Sequence, residues 1–117
     1  MDFGKEFSRK EYDNNVELTT FYTVRTSIDD RTMAKKIAHD LVDDFIASSV
    51  HIREIESTYR WQGEIVETQE YEIEVLCMNY MKVIKYIKEM HLYDLPEIIV
   101  DERKCTTDFA IWIKDNT

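Results

Sequence analysis

The stretch Ser57-Thr-Tyr59-Arg-Trp61-Gln-Gly63 decides the fold of this 117-residue chain. β-Branched and aromatic residues lead up to Gly63, and a second β-rich run follows it directly. A glycine takes a positive φ at little steric cost, and a tight turn between two strands requires such a residue. The stretch therefore predicts a long β-hairpin that turns at residues 62–63.

Strands and helices alternate around this hairpin. Residues 16–25 form the first predicted strand, which has apolar side chains on both faces as a central strand does. Ser27, followed three residues later by Asp30, resembles a capping box and predicts the start of a first helix. Apolar residues then recur at helical spacing, namely Met33, Ala34, Ile37, Ala38, Leu41 and Phe45.

The second strand begins near Ser49, and its apolar residues change phase. Val50 and Ile52 share one parity, whereas the apolar residues between Ile55 and Trp61 share the other. One register cannot bury both sets, so we expect a β-bulge near Arg53-Glu54. After the turn the third strand alternates, with Tyr71, Ile73, Val75 and Cys77 on one face and Glu70, Glu72 and Glu74 on the other.

The remaining elements complete a recognisable order. A helix after Asn79 presents Met81, Ile84, Ile87 and His91 on one side, residues 97–100 predict a fourth strand, and Thr106 or Thr107 caps a short helix bearing Phe109, Trp112 and Ile113. The order βαββαβ with one additional helix predicts an α+β, ferredoxin-like fold. We expect one domain over residues 16–117, preceded by a flexible arm over residues 1–15 that could dock through Phe3 or Phe7.

The predicted hairpin is longer than the domain that carries it. Strands of about a dozen residues reach roughly 40 Å, whereas a compact domain of this size has a radius of gyration of about 14 Å. The hairpin must therefore overhang the core of its own subunit. Because an overhanging hairpin with unpaired edges invites aggregation, we expect a partner subunit to extend the sheet.

Charge and cysteine content limit the partners and the compartment. The net charge of -9 argues against nucleic acid or an anionic membrane surface, since both are bound largely through Lys and Arg. Cys77 and Cys105 stand at no metal-ligand spacing and indicate reduced thiols, which favours the cytoplasm. The sequence also contains no apolar run typical of a signal peptide or a membrane span.

The hairpin stretch and the later segment His91-Leu-Tyr93-Asp-Leu-Pro96-Glu97-Ile98-Ile99 together resemble the CutA family of divalent-cation tolerance proteins, over roughly residues 17–115. The resemblance implies a homotrimer of PII-like subunits that binds a metal ion or a small ligand in clefts between subunits. It also implies copper binding, through a His pair around His91 and a Cys at the end of the first strand. This chain keeps His91 but has Met90 and Arg25 at the other positions, so His91 is the expected ligand for Cu²⁺ or another divalent cation.

The ligand-binding residues expected with this resemblance are Tyr59, Trp61, Glu70, Tyr93, Glu97 and Trp112. Tyr59 and Trp61 either line a ligand pocket at a subunit junction or pack as interface anchors. The glutamates of the third strand are solvated, form a shallow cation-binding strip, or meet basic residues of a neighbour. In the family a Lys is common at the position of Leu76, so a Glu-Lys pair for an anionic ligand is incomplete here.

Catalytic signatures are absent from the sequence. With only Gly4 and Gly63 there is no phosphate-cradling loop and no nucleophile elbow, and the three histidines stand at no zinc-binding spacing. We therefore expect a binding protein and not an enzyme. A PII-like module that senses a small metabolite and acts through a protein partner is the alternative, and a purely structural scaffold role stays open as well.

Overall fold

The computed structural model describes residues 16–117, so the flexible N-terminal segment expected over residues 1–15 lies outside the described part of the chain. The described elements are β1 (Leu18–Ile28), α1 (Arg31–Asp43), β2 (Ser49–Trp61), β3 (Glu64–Cys77), α2 (Tyr80–Met90), β4 (Ile99–Thr106) and α3 (Thr107–Asp115). The strands form one antiparallel sheet in the order β2-β3-β1-β4. This is the ferredoxin-like arrangement, and the predicted fold class is confirmed.

The core lies between the sheet and the helices α1 and α2. Its residues follow the two periods that the sequence shows, every second residue on the strands and every third or fourth on the helices. The largest fully buried side chains of this cluster are Val24, Ile28, Ile37, Leu41, Ile73, Val75, Val83 and Ile87. The opposite strand parity supplies a smaller cluster, in which Phe21 and Leu76 pack against Ile113 of α3. Both faces of the central strands are therefore covered, at least in part.

The hairpin of β2 and β3 extends far beyond the four-stranded sheet. The two strands pair without interruption from Ser49 opposite Leu76 to Trp61 opposite Glu64. β1, in contrast, accompanies β3 only as far as Tyr71. Residues 55–70 consequently project as a two-stranded segment, and from here on the term arm denotes this segment. The described chain measures 56 × 26 × 25 Å with a radius of gyration of 17.2 Å. The predicted overhang is confirmed.

The turn at the tip of the arm is built as the sequence indicates. Gln62 has a φ of 50° and Gly63 a φ of 83°. Two consecutive positive φ angles define the type I′ turn, whose twist matches that of the flanking strands. The prediction of a tight turn at residues 62–63 is therefore confirmed.

The β-bulge expected near Arg53-Glu54 is wrong. Pairing keeps one register from Ser49 opposite Leu76 to Trp61 opposite Glu64, so no residue within this ladder is left unpaired. The phase of the apolar residues changes for another reason. Val50 and Ile52 lie beside the core, whereas Ile55 and the residues after it belong to the arm, where no core of this subunit dictates which face is apolar.

Several predicted boundaries also shift. β1 continues to Ile28 instead of ending at Arg25, so Ser27 lies inside the strand. Asp30 alone caps α1, and its side chain accepts a hydrogen bond from the Met33 amide at 2.9 Å. β4 spans Ile99–Thr106 instead of residues 97–100. Two residues expected on apolar helix faces are exposed. Met81 is exposed because Val83 and Ile87 form the buried face of α2. Phe45 is exposed because it follows the end of α1, at a φ of 56°.

Candidate functional site

A cleft of about 880 Å³ opens at the root of the arm. Three parts of the chain form it: the end of β1, the arm along β2 from Glu56 to Trp61 together with Glu70 of β3, and the segment of residues 92–97 that connects α2 to β4. The cleft exists because β1 ends while β2 and β3 continue, which leaves a step beside the sheet. The connection after α2 closes this step from one side.

Five of the six expected ligand-binding residues line this cleft. They are Tyr59, Trp61, Glu70, Tyr93 and Glu97. The sixth, Trp112, lies on α3 and is not part of the lining. Its ring is stacked on that of Phe109, with centroids 5.5 Å apart at an interplanar angle of 18°, and the residue remains 44% exposed.

Glu70 is held in the cleft by Tyr93. The Tyr93 hydroxyl donates to Oε2 of Glu70 at 2.8 Å, and only 5% of Glu70 is exposed. Burial and this hydrogen bond raise the pKa of Tyr93 above its ordinary value of 10.0. The Tyr93 hydroxyl therefore stays protonated across the physiological pH range, and by donating a hydrogen bond it orients the carboxylate of Glu70.

His91 fixes the connection that closes the cleft. Its Nδ1 accepts from the backbone amide of Tyr93 at 3.0 Å, and its Nε2 lies 2.8 Å from the carbonyl oxygen of Ser27. Because Nδ1 accepts, the proton of the neutral imidazole sits on Nε2 and is donated to that carbonyl. The Ser27 hydroxyl in turn donates to Oε2 of Glu97 at 3.0 Å, so the end of β1 and the connection are joined twice.

This geometry bears on the expected metal ligand. Both ring nitrogens of His91 already have partners within the chain, so a metal ion would have to displace one of them. Among residues 16–117, no three side chains of His, Cys, Asp or Glu come together in a way that could hold a metal ion. One copy of the chain therefore does not fit a copper centre by itself, and ligation by His91 stays a prediction.

The other two histidines lie elsewhere. His39 projects from α1 with its ring 3.6 Å from Asp40 and its side chain 77% exposed. His51 lies on β2, and its Nδ1 is 3.7 Å from Oε1 of Glu74. Arg25, at the position where the family resemblance implies a Cys, lies 3.5 Å from Asp101.

The three alternating glutamates of β3 have different surroundings. Arg53 contacts Glu72 at 2.7 Å and Glu74 at 3.5 Å, and these two carboxylates raise the pKa of the guanidinium. Glu70 is apart from them, at the point where the arm leaves the sheet. Glu72 and Glu74 are thus both paired with Arg53, and of the three glutamates only Glu70 lines the cleft.

The cleft is acidic. Its lining contains the acidic residues Asp29, Glu56, Glu70, Asp94 and Glu97, and no Lys or Arg of the described chain takes part in it. Sequence reasoning missed Asp29, Glu56 and Asp94. Asp94 stands inside the His-Leu-Tyr-Asp-Leu-Pro segment and could have been included on that ground. Asp29 and Glu56 are distant in sequence, and only the folded chain brings them to the same place.

Fold and cleft together define a ferredoxin-like α+β domain with a ligand-sized site at the root of a projecting hairpin. The family model of the CutA1 divalent ion tolerance protein matches residues 22–116, and the chain belongs to this family. None of the helices within residues 16–117 has the length and apolar character needed to cross a membrane.

Individual relatives agree with this assignment. The chain is 32% identical over 98 residues to the divalent-cation tolerance protein CutA of Thermus thermophilus, covering 80% of this chain and 95% of that protein. The corresponding protein of Thermococcus kodakarensis is 30% identical over 95 residues, covering 77% and 89%. The solved structure of the divalent cation tolerance protein (Cut A1) from Thermus thermophilus superposes with a TM-score of 0.77 at 30% identity, covering 85% of this chain and 99% of that one. The resemblance found in the sequence is confirmed.

Proposed function

We propose that this chain acts in divalent-cation tolerance as a homotrimer that binds a metal ion or a small ligand in clefts between its subunits, without catalysing a reaction. The observation that carries the proposal is the acidic cleft at the root of the arm. A concave site with a few convergent polar groups is the usual form of a small-ligand site. Family membership supplies the role in divalent-cation tolerance.

The arm supports assembly from several copies. Its apolar side chains are open to solvent in a single chain, with Tyr59 38%, Trp61 44% and Ile65 65% exposed. Strands of this length with unpaired edges need a partner to cover them. A neighbouring copy would do so, and the stacked pair of Phe109 and Trp112 on α3 is a second exposed aromatic surface for the same junction. Trp112 would then complete the cleft of a neighbour instead of its own.

The copper part of the proposal rests on His91 and Met90. Because His91 is fully engaged in hydrogen bonds and no group of three ligands forms within residues 16–117, a divalent ion would need donors from more than one copy. A soft thioether such as that of Met90 suits Cu(I) in particular.

The PII-like alternative is not favoured. The family match is to CutA1, and the curated relatives from Thermus thermophilus and Thermococcus kodakarensis are CutA proteins. A nucleotide would also require basic groups for its phosphates, whereas the charged side chains in the described lining of the cleft are all acidic.

Calorimetric titration of the full chain with Cu²⁺ and Zn²⁺ tests the proposal. We expect saturable binding that weakens in His91→Ala and in Glu70→Gln but not in His39→Ala, because the ring of His39 is 77% exposed and lies outside the cleft. Each variant is first compared with the native chain by circular dichroism and by mass. Equal binding of both ions in all three variants would assign them to scattered surface carboxylates and would refute a metal site at the cleft.

A further inference from the structure

We infer that the cleft is built for an organic polyammonium cation, that is, an aliphatic chain carrying two or more protonated amines. The inference rests on the proposed function, since it takes the cleft to be the ligand site. It goes further by naming the chemical class of the ligand. Three features carry it: the sign of the charge, the kind of apolar surface, and the way in which the carboxylates are distributed.

The charge of the lining selects a cation. The acidic residues of the lining are Asp29, Glu56, Glu70, Asp94 and Glu97, of which Glu56 lies on the opposite face of the arm from Glu70, and no basic side chain in the described lining offsets them. A cleft lined by one sign of charge concentrates ligands of the opposite sign. The acidic side chains that one chain contributes would repel anionic ligands such as phosphates or carboxylic acids.

The apolar part of the lining suits an organic ligand. Tyr59 and Trp61 line the cleft from the arm and remain 38% and 44% exposed, and Leu92, Leu95 and Pro96 line it from the connection after α2. Aromatic faces attract ammonium groups through their quadrupole, and Trp does so most strongly. Methylene groups between two ammonium groups would gain contact with the apolar side chains, which a hydrated metal ion would not use.

The distribution of the carboxylates separates such a ligand from a bare metal ion. A divalent ion needs several donors within about 2.0–2.6 Å of one point. The cleft extends over about 880 Å³, and no group of three metal-binding side chains converges within residues 16–117. Glu70 and Glu97 are each fixed by a different hydroxyl, from Tyr93 and from Ser27. Carboxylates that are oriented by different hydroxyls and do not converge in a group of three suit a ligand whose charges are spread along a chain.

Calorimetric titration of the full chain with spermidine, at about 0.15 M salt so that scattered surface attraction is screened, tests the inference. We expect one saturable site per chain. Glu70→Gln keeps an acceptor for Tyr93 but removes the charge, so affinity should fall about tenfold or more. Trp61→Leu should weaken binding several-fold. Glu89→Gln makes the same charge change at an exposed position of α2 outside the cleft and should leave affinity unchanged.

Asp94→Asn, an exposed position of the same lining, is the second cleft variant if Glu70→Gln does not fold. Spermidine binding that is equal in the cleft variants and in Glu89→Gln, or that disappears at this salt concentration, would overturn the inference. Parallel titrations with Cu²⁺ and Mg²⁺ separate the two levels of the argument. Metal binding that depends on Glu70 without spermidine binding refutes the polyammonium ligand and leaves the proposed function standing. Absence of both refutes both.

Discussion

The hydrogen bond between Tyr93 and Glu70 provides the sharpest test of the cleft geometry. In Tyr93→Phe the ring is kept and only the hydroxyl, which donates to Glu70 at 2.8 Å, is removed. A hydrogen bond to a charged group contributes about 1.5–3 kcal/mol, and more of this is lost when the partner stays buried. Glu70 is only 5% exposed, so water replaces the hydroxyl poorly. We therefore expect the free energy of unfolding to fall by about 2 kcal/mol.

Urea unfolding followed by circular dichroism measures this loss, at one chain concentration for every variant because assembly shifts apparent stability. Tyr71→Phe is the matched control. Tyr71 is half-buried on the same strand as Glu70, and its hydroxyl has no hydrogen bond to another residue of the described chain. Its substitution should cost less than about 0.5 kcal/mol, as substitutions that break no specific contact do.

A double-mutant cycle assigns the loss to the contact itself. Tyr93→Phe and Glu70→Ala together should destabilise by at least about 1 kcal/mol less than the sum of the two single losses, since each substitution removes one partner of the same hydrogen bond. Equal effects of Tyr93→Phe and Tyr71→Phe, or losses that simply add, would show that the contact does not hold Glu70 in place.

Three further predictions concern the turn, a thiol and a surface carboxylate. Gly63→Val should lower the free energy of unfolding in urea by about 1–2 kcal/mol, because valine resists a φ of 83°. A Cβ at this position meets nothing within 4 Å, so the cost comes from the backbone and not from a clash. Gly63→Asn should cost clearly less, and equal costs would contradict the left-handed turn. Burial raises the pKa of Cys77 from 9.0 to about 11. Because the thiolate is the reactive form, alkylation of Cys77 at pH 8 should be about a hundredfold slower in the folded chain than in the unfolded chain. Comparable rates would show that the thiol is open to solvent. A hydrogen bond from Lys36 lowers the pKa of Asp40 below 3.8, so Asp40 stabilises the fold above that pH and this contribution disappears as the pH falls through its folded pKa. Asp40→Asn should therefore be less stable than the native chain at pH 7 and equally stable at low pH, and a gap independent of pH would contradict the assignment.

The hairpin shows how far local sequence determines this fold. The turn at Gly63 and the alternation of β3 are local signals, and the structure confirms both. The expected bulge fails because the parity of apolar residues marks a buried face only where a core lies beside the strand. Beyond Ile55 the strands leave that core, so their apolar residues face surfaces that a single chain does not define.

The sequence also did not reveal element boundaries that depend on pairing between strands distant along the chain. Ser27 offers a plausible helix cap, but β3 holds it in β1 opposite Glu72, and Asp30 becomes the cap. Hydrogen bonding across the sheet outweighs a local capping preference, since it satisfies the backbone of every residue of the strand.

The cleft was predictable in part. The resemblance pointed to Tyr59, Trp61 and Tyr93, which the structure brings to one place. The hydrogen bonds of His91 to Ser27 and Tyr93, and the gathering of five acidic residues, depend on where β1 stops relative to the arm. No pattern in the sequence encodes that distance.

The central claim is that copies of this chain assemble through their arms and that the cleft lies between them. Light scattering of the full chain in buffer free of divalent metal ions, at micromolar concentration, tests it most directly. The account predicts a mass near three times the 14.1 kDa of one chain. A mass of one chain under these conditions would contradict it.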